Sequence, residues 1–338
     1  MNKYSGIDLH SNNCVVAVID EADRVCCQRR VPNDLSQILA LLEPHREELV
    51  SVVVESTFNW YWLVDGLQQA GYRVDLANTV AMKQYDGLKY SGDEYDARHL
   101  AHMLRLGILR TGYVYPKEMR AVRDLARKRI QLVRTRTMHI LAVENLVARQ
   151  TGARISGNMV KQLTVEVVDE WGWLPDVALA AQANVMVLDR LEDVIKQIER
   201  RLCERVRLRP EYAVLKTTPG IGNVLATTIM LEAGTIERFA QVGNFASYAR
   251  CVDSARYSNG KKKGEGNRKN GNRYLAWAFV EAANFALRYN AAAKRFYERK
   301  KAKTNTMVAT KALAHKLARA CYHMLKEQRD FDEQRCFA

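Results

Sequence analysis

The first third of the chain alternates between short apolar runs with a two-residue repeat and amphipathic stretches with a helical repeat. This pattern predicts three successive strands, a helix, a buried strand, a second helix, another strand and two short helices. The strands are KYSGIDLH, NCVVAVID, RVCCQRRVP, VSVVVES and YRVDLAN, and the helices cover about 34–48, 58–70, 79–87 and 94–107. We therefore predict an α/β domain over residues 1–112.

Acidic residues stand at the ends of several predicted elements. Asp8 is near the end of the first strand, Glu55 ends the fourth, and Asp93 and Asp96 begin the last helix. The last two share one helix face, where two carboxylates repel each other unless a cation or solvent screens them. The order β-β-β-α-β-α-β-α-α matches a ribonuclease-H-like (RuvC-like) domain, in which these ends meet at one sheet edge. We predict that the four acids are catalytic and bind Mg²⁺, with Mn²⁺ as the alternative.

Each acid also has a simpler structural interpretation. A single Asp at a strand end is usually a turn former, and Asp93 or Asp96 alone would serve as a helix N-cap. Glu55 is harder to explain in this way, because a buried carboxylate must be paired. His99 and His102 have an HxxH spacing, but they lie on an ordinary helix face. The metal hypothesis therefore depends on the ordered set of four acids.

After Pro116 the pattern changes to two long amphipathic helices, the second over about 176–207. We predict that residues 113–210 form an antiparallel coiled-coil arm. Two interpretations stay open: a helical spacer, or an arm that joins protomers and grips nucleic acid. The second depends on basic residues of the first helix, and as candidates for nucleic-acid binding we select Arg127, Lys128, Arg129, Arg134 and Arg136.

The last third, residues 211–330, is predicted to be a mainly α-helical C-terminal domain, followed by a tail over 331–338. The sequence PGIG at 219–222 separates two helical runs, as in a helix-hairpin-helix. Its glycines, Gly220 and Gly222, would let backbone N–H groups approach a phosphate at a helix N-terminus. The alternative is an ordinary turn between two helices.

A glycine-rich basic segment, SNGKKKGEGNRKNGNR, begins at Ser258. Such a loop suits a phosphate backbone. A serine within it could attack phosphorus if its hydroxyl were deprotonated or activated by a metal. Considered alone, Ser258 is more simply a turn residue. The nucleic-acid-binding residues selected from this segment are Lys261, Lys262, Lys263, Arg268, Lys269 and Arg273.

Composition narrows the class of protein. The 338 residues carry a formal net charge of +14, which favours a polyanionic partner such as nucleic acid. The 7 cysteines show no zinc-site spacing, so we expect reduced thiols in a cytoplasmic protein. The N-terminus has no signal-peptide pattern, and no apolar run approaches the ~18–20 residues of a membrane span. We therefore expect no membrane partner.

Taken in order, the motifs GIDLH, VVVES, GDEYDA, TPGIG and SNGKKKGEGNRKNGNRYL resemble one family essentially from end to end. This family is the DEDD transposases of bacterial insertion sequences, the IS110 family, which also includes the Piv and MooV DNA invertases. The resemblance implies a RuvC-like domain, a coiled coil and a C-terminal domain carrying a serine. It also implies that Asp8, Glu55, Asp93 and Asp96 bind metal and that Ser258 is the nucleophile.

The serine motif departs from the family pattern GLxPxxxSSG. This chain has RCVDSARYSNG, with Asp253 in place of the proline and Asn259 in place of the first glycine. Ser254 is therefore an alternative nucleophile, but the register through Gly260 and Lys261 needs no gap and favours Ser258. The resemblance further implies Mg²⁺-dependent cleavage and exchange of DNA through a phosphoserine, a structured non-coding bridge RNA as guide, and a homodimer or homotetramer. It places the enzyme in the bacterial cytoplasm, on the nucleoid when active.

Two other functions remain open on the sequence. One is a Holliday-junction-type RuvC-like endonuclease that has the same metal site and uses water instead of a serine. The other is a non-catalytic nucleic-acid-binding scaffold, such as a decayed transposase. The presence of all four acids argues against decay.

Overall fold

A computed structural model of the chain forms two compact units, Met1–Lys117 and Glu118–Ala338. The residues it describes are 1–78, 92–253, 255–265 and 270–337. The predicted helix over 79–87 lies outside the described residues, as do Ser254, Arg268 and Lys269. Among the described helices, none combines the length and the apolar composition that a membrane crossing requires.

The first unit is built on a six-stranded mixed sheet in the order β3-β2-β1-β4-β5-β6. The first three strands pair antiparallel as the predicted meander, whereas β1, β4 and β5 run parallel. A two-residue strand that the sequence did not predict, β6, pairs antiparallel with β5. The strands are β1 Lys3–Leu9, β2 Asn13–Asp20, β3 Val25–Pro32, β4 Leu49–Glu55, β5 Val74–Ala77 and β6 Thr111–Gly112.

The helices of this unit sort by the face of the sheet they contact. Side chains alternate along β2, so that Val16 and Val18 join one hydrophobic cluster while Val15 and Ala17 join another. The first cluster includes side chains of α1 and α2, and the second includes Ala97 of α3. These helices are α1 Leu35–Leu42, which continues into a 3₁₀-helix over Glu43–Glu48, α2 Tyr61–Gln69 and α3 Asp93–Arg105.

Helix α3 touches β1 backbone to backbone at Gly6. A Cβ atom placed on Gly6 would lie 2.1 Å from the Ala97 carbonyl oxygen and 2.7 Å from the Ala101 nitrogen. Only glycine leaves room for this approach. The contact fixes the height and rotation of α3 over the strand that carries Asp8.

The second unit contains the two predicted long helices, α4 and α7. Arg129 of α4 hydrogen-bonds Glu199 of α7, with Nε 2.8 Å from Oε1, and Arg136 pairs with Glu192. Arg136 comes after Arg129 in α4, but its partner Glu192 comes before Glu199 in α7. The two helices are therefore antiparallel. Two short helices lie between them in the chain, and the bounds of the four are α4 Lys117–Thr151, α5 Gly157–Val160, α6 Val165–Asp169 and α7 Pro175–Val206.

The remaining helices surround a core that includes Leu215, Phe245 and Phe279, all fully buried. Gly220, between α8 and α9, has φ +85°, and a Cβ there would lie 2.3 Å from the Ala282 carbonyl oxygen of α11. Residues after 331, predicted as a tail, include a short helix. The elements are α8 Pro210–Lys216, α9 Asn223–Ala233, α10 Val242–Tyr248, β7 Ala255–Ser258, β8 Lys261–Glu265, α11 Arg273–Tyr289, α12 Ala291–Lys303, α13 Thr306–Glu327 and α14 Glu333–Phe337.

The first part of the predicted glycine-rich loop, as far as Glu265, is instead the turn and second strand of a β-hairpin. Strands β7 and β8 pair antiparallel, with Ser258 opposite Lys261. Asn259 and Gly260 form the turn with φ of 49° and 70°. Positive φ at both central residues is typical of a two-residue type I′ turn, for which Asn-Gly is the favoured sequence. We call β7, the turn and β8 the serine hairpin.

Replacing Gly6 by Ala tests the contact between β1 and α3. Because the new methyl group would meet backbone atoms of α3, we expect the unfolding free energy to fall by about 3 kcal/mol, the upper end for overpacking. Gly112→Ala is the control, since its added Cβ would meet only ordinary contacts at 3.6 Å, and we expect a change within about 0.5 kcal/mol. Urea unfolding measures both. Equal losses would show that the close approach at Gly6 is unimportant.

Candidate functional site

The site begins with two carboxylates on neighbouring parallel strands. Ile7 of β1 pairs with Val54 of β4, so Asp8 and Glu55, the next residue on each strand, lie side by side. On the other side of β1, Asp8 pairs with Val15, which in turn pairs with Arg30 of β3. The four residues form one row across the sheet, on the face that α3 covers.

Helix α3 adds the third carboxylate. Gly6 and Asp8 point to the same face of β1, and α3 contacts Gly6 through Ala97. Asp96, the residue before Ala97, is therefore brought close to Asp8, and the two interact electrostatically. We call Asp8, Glu55 and Asp96 the acid cluster.

Like charges and burial perturb this cluster strongly. Burial raises the pKa of Glu55 to about 8, helped by its hydrogen bond to Asp8 and by the charges of Asp8 and Asp96. Burial also raises the pKa of Asp96, and the charges of Asp8 and Asp93 add to the shift. A bound cation would relieve this repulsion.

Two oxygen atoms of the cluster have unused hydrogen-bonding capacity. Oδ2 of Asp8 and Oδ1 of Asp96 are buried, and within the described part of the chain neither has a hydrogen-bond partner. Asp8 is only 3% exposed. Buried polar atoms are normally paired, so atoms left unpaired among like charges indicate a ligand site. Carboxylate oxygens in this setting fit a hard divalent cation such as Mg²⁺.

The fourth predicted acid, Asp93, has a different environment. Its side chain is 39% exposed and accepts a hydrogen bond from Arg30, with Nη2 2.5 Å from Oδ2. This hydrogen bond lowers the pKa of Asp93, and the nearby His10 ring contributes. Arg30 is itself held by Asn13, whose Oδ1 lies 2.9 Å from Nη1. Asp93 therefore lies at the rim of the site with its charge compensated by neighbouring side chains.

Sequence reasoning missed His10. Its Nε2 lies 3.4 Å from Asp8 Oδ2 and 3.1 Å from Asp93 Oδ2. One possible ligand atom from each of the three residues lies within 4.8 Å of the other two. The His10 carbonyl oxygen accepts hydrogen bonds from Asn33 Nδ2 at 3.0 Å and Asn59 Nδ2 at 2.9 Å. The sequence signal for His10 is its position two residues after Asp8. In an extended chain, residues two positions apart point to the same face.

The predicted nucleophile belongs to the second unit. Ser258 is the last residue of β7 and is exposed beside the tight turn of the serine hairpin. Lys261, Lys262 and Lys263 follow on β8 and are also exposed. The hairpin thus presents a hydroxyl and three cations together.

The predicted basic residues of α4 divide into two groups. Arg129 and Arg136 form the interhelical ion pairs with α7, and Arg127 forms two hydrogen bonds with the buried Glu232, at 2.6 and 2.7 Å. Lys128 and Arg134 are exposed.

The two predicted glycines also differ. Gly220 is packed against α11, which gives it a structural reason to be glycine, whereas Gly222 has open space around its Cα at the start of α9. Their predicted contact with phosphate stays a prediction.

Comparison with known proteins finds the same family in both units. A family model for DEDD transposases of the IS110 type, described as a transposase, matches residues 5–149. A second, described as the transposase IS116/IS110/IS902 family, matches residues 212–298. A Pseudomonas aeruginosa protein described as a probable family 20 transposase is 23% identical over 335 residues, which is 96% of each chain. The first match contains the acid cluster and the second contains the serine hairpin.

Replacing Asp8 by Asn tests the cluster as a cation site. A cation that binds only the folded protein, and whose free concentration is about 100 times its Kd, stabilises the fold by about 2.7 kcal/mol. We expect Mg²⁺ or Mn²⁺ to raise the melting temperature of the unaltered protein above its value in EDTA. Asp8→Asn should lose that rise and melt no lower in EDTA, because it removes one of the repelling charges.

Glu94→Gln is the matched control, since Glu94 is an exposed acid of the same helix α3. It should keep the full metal-dependent rise. An equal rise in Asp8→Asn would mean that the cluster does not bind the cation.

Proposed function

Because the chain belongs to the IS110 family of transposases and is a DNA transposase, we propose that it cleaves and exchanges the DNA strands of a bacterial insertion sequence at the acid cluster, with Ser258 as nucleophile. The observation that carries this proposal is that one buried oxygen of Asp8 and one of Asp96, beside Glu55, have no hydrogen-bond partner among the described residues. Such a cluster is poorly suited to a purely structural role, since burial and like charges disfavour the ionised carboxylates while two of their buried oxygens accept no hydrogen bond within the described part of the chain.

We infer that Asp8, Glu55 and Asp96 hold the divalent cation, with Asp93 completing the set of acids. When bound, Mg²⁺ or Mn²⁺ stabilises the negative charge that develops on the phosphoryl oxygens. The buried Asp8 and the half-buried Glu55 and Asp96 supply carboxylate oxygen ligands from β1, β4 and α3. Arg30 and His10 hold Asp93 in place at the rim.

The serine step forms one bond and breaks another. Ser258 Oγ attacks phosphorus, the bond from phosphorus to the leaving deoxyribose oxygen breaks, and that oxygen takes up a proton while the serine hydroxyl loses one. The resulting phosphoserine keeps the energy of the phosphodiester for rejoining. Exposure of Ser258 at a tight turn supports this role, because DNA can reach the hydroxyl. Ser254 remains the alternative nucleophile.

The partners follow from the family and from charge. We propose DNA as substrate, a non-coding guide RNA, and a homodimer or homotetramer as the active form, in the bacterial cytoplasm and on the nucleoid during the reaction. The net charge of +14 supports the nucleic-acid partners.

The finer fold assignments belong to the same proposal. The sheet order β3-β2-β1-β4-β5, with β1, β4 and β5 parallel, supports a RuvC-like domain over 1–112. The antiparallel helices α4 and α7 support a coiled-coil arm within 113–210. The short turn between α8 and α9 supports a helix-hairpin-helix within 211–330.

Trapping a covalent protein–DNA adduct tests the proposal. The protein is incubated with Mg²⁺, DNA from the ends of its own element and the adjoining non-coding RNA, then denatured and separated on a gel. We expect an adduct that peptide mass spectrometry maps to Ser258. It should be lost in Ser258→Ala and in Asp8→Ala, and retained in the control Glu94→Gln.

Other outcomes would change the assignment. Cleavage without an adduct, retained in Ser258→Ala, would indicate a nuclease that uses water. An adduct at Ser254 would keep the mechanism and move the nucleophile. If Asp8→Ala and Asp96→Ala left every nucleic-acid activity intact, the protein would be a binding scaffold.

A further inference from the structure

We propose that a groove between α4 and the start of α11 binds the phosphate backbone of the substrate DNA. The groove has a volume of about 400 Å³. Its lining includes Lys128, Arg134 and Met138 of α4 and Arg273 and Tyr274 of α11. This inference rests on the proposed function, since it assigns a place to the DNA that the serine attacks.

The charge of the groove suits a polyanion. Lys128, Arg134 and Arg273 are all exposed, and no ion pair within the described part of the chain engages any of them. Asp124 is the acid in the lining, and it lies 3.9 Å from Nη1 of Arg127. Spacings of three and four residues place Lys128, Gln131, Arg134 and Met138 along one stripe of α4. The stripe is therefore long enough to lie along several consecutive phosphates of a DNA strand.

A buried network makes the floor of the groove rigid. Glu232 of α9 is 2% exposed and accepts hydrogen bonds from Nε and Nη2 of Arg127 and, at 2.7 Å, from Nδ2 of Asn272. Asn272 in turn caps α11, because its Oδ1 accepts from the backbone nitrogens of Tyr274 and Leu275. One carboxylate thus joins three helices.

The same network orients the aromatic wall. The Arg127 guanidinium lies 4.8 Å from the centre of the Tyr274 ring, and the Arg273 guanidinium lies 5.0 Å from it. Arg273 also donates a hydrogen bond to the Tyr274 hydroxyl at 3.0 Å. A buried ion pair costs desolvation and is seldom a net source of stability. Here its evident effect is to hold cationic and aromatic groups in place before a ligand arrives.

The groove lies at the root of the serine hairpin, which favours DNA as its occupant. The backbone nitrogen of Asn272 donates to the Tyr248 carbonyl oxygen, and Arg250 donates to the Gly271 carbonyl oxygen at 2.7 and 3.0 Å. These bonds close the chain segment that carries Ser258. The next residues, Arg273 and Tyr274, line the groove. The groove therefore adjoins the closed end of the segment that carries Ser258, which favours the attacked DNA strand as its occupant.

The double variant Lys128→Ala/Arg134→Ala tests the groove by its effect on salt dependence. Each phosphate contact contributes about 0.9 to the slope of log affinity against log salt concentration on B-form DNA. Binding of a short fluorescent DNA duplex of mixed sequence is measured by anisotropy over a range of KCl concentrations. We expect the slope to decrease by about 2 and the affinity to fall.

Lys196→Ala/Arg200→Ala is the matched control, because it removes the same charge from exposed positions of α7 outside the groove. It should leave the slope nearly unchanged. An equal decrease in both variants, or in neither, would overturn the proposal.

A duplex RNA of the same sequence forms the second arm of the test. A loss confined to RNA, or larger for RNA than for DNA, would overturn DNA as the occupant. The serine-adduct assay, run in parallel, separates this inference from the proposed function. An adduct with an unchanged salt slope would refute the groove as the DNA site and support the serine chemistry. A reduced slope without any adduct would support the groove and refute the serine chemistry.

Discussion

The contact of α3 with β1 at Gly6 determines where the acids of the first unit lie. Ala97 presses its carbonyl oxygen on the glycine, and Asp96 is the residue before it. Asp8 follows Gly6 by two positions on the same strand face. Glu55 is positioned independently of α3, by the parallel pairing of β1 with β4. Two backbone contacts, one between helix and strand and one between strands, thus bring together three carboxylates that repel each other.

Much of the first unit could be predicted because its strands are continuous apolar runs with clear turns. Asp8 and Glu55 were selected as candidates for the same reason, since both lie near the ends of such runs. Arg30 could not be assigned to Asp93, because the row from Asp8 through Val15 to Arg30 depends on strand register, which the sequence pattern does not specify. The strand Thr111–Gly112 is too short to leave a pattern.

In the second unit, local signals were present but a competing interpretation obscured them. Asn259-Gly260 is a strong hairpin signal, yet the surrounding glycines and lysines suggested a flexible loop. The arginines of α4 look alike in the sequence, because composition counts charges and not their partners. The structure separates Arg129 and Arg136, which bind α7, from Arg134, which faces solvent. Only the three-dimensional structure distinguishes arginines that pair with α7 from arginines that are free to bind a partner.

The paired helices also limit how this chain could change in length during evolution. The ion pairs Arg129–Glu199 and Arg136–Glu192 are seven residues apart on both helices, which is two helical turns. Deleting a single residue from one helix would rotate every later side chain by about 100° relative to its partner, as the 3.6-residue turn requires. Insertions that preserve this pairing would therefore enter both helices together, and a matched set of seven residues disturbs it least. Relatives with longer or shorter helices would be expected to differ by whole heptads.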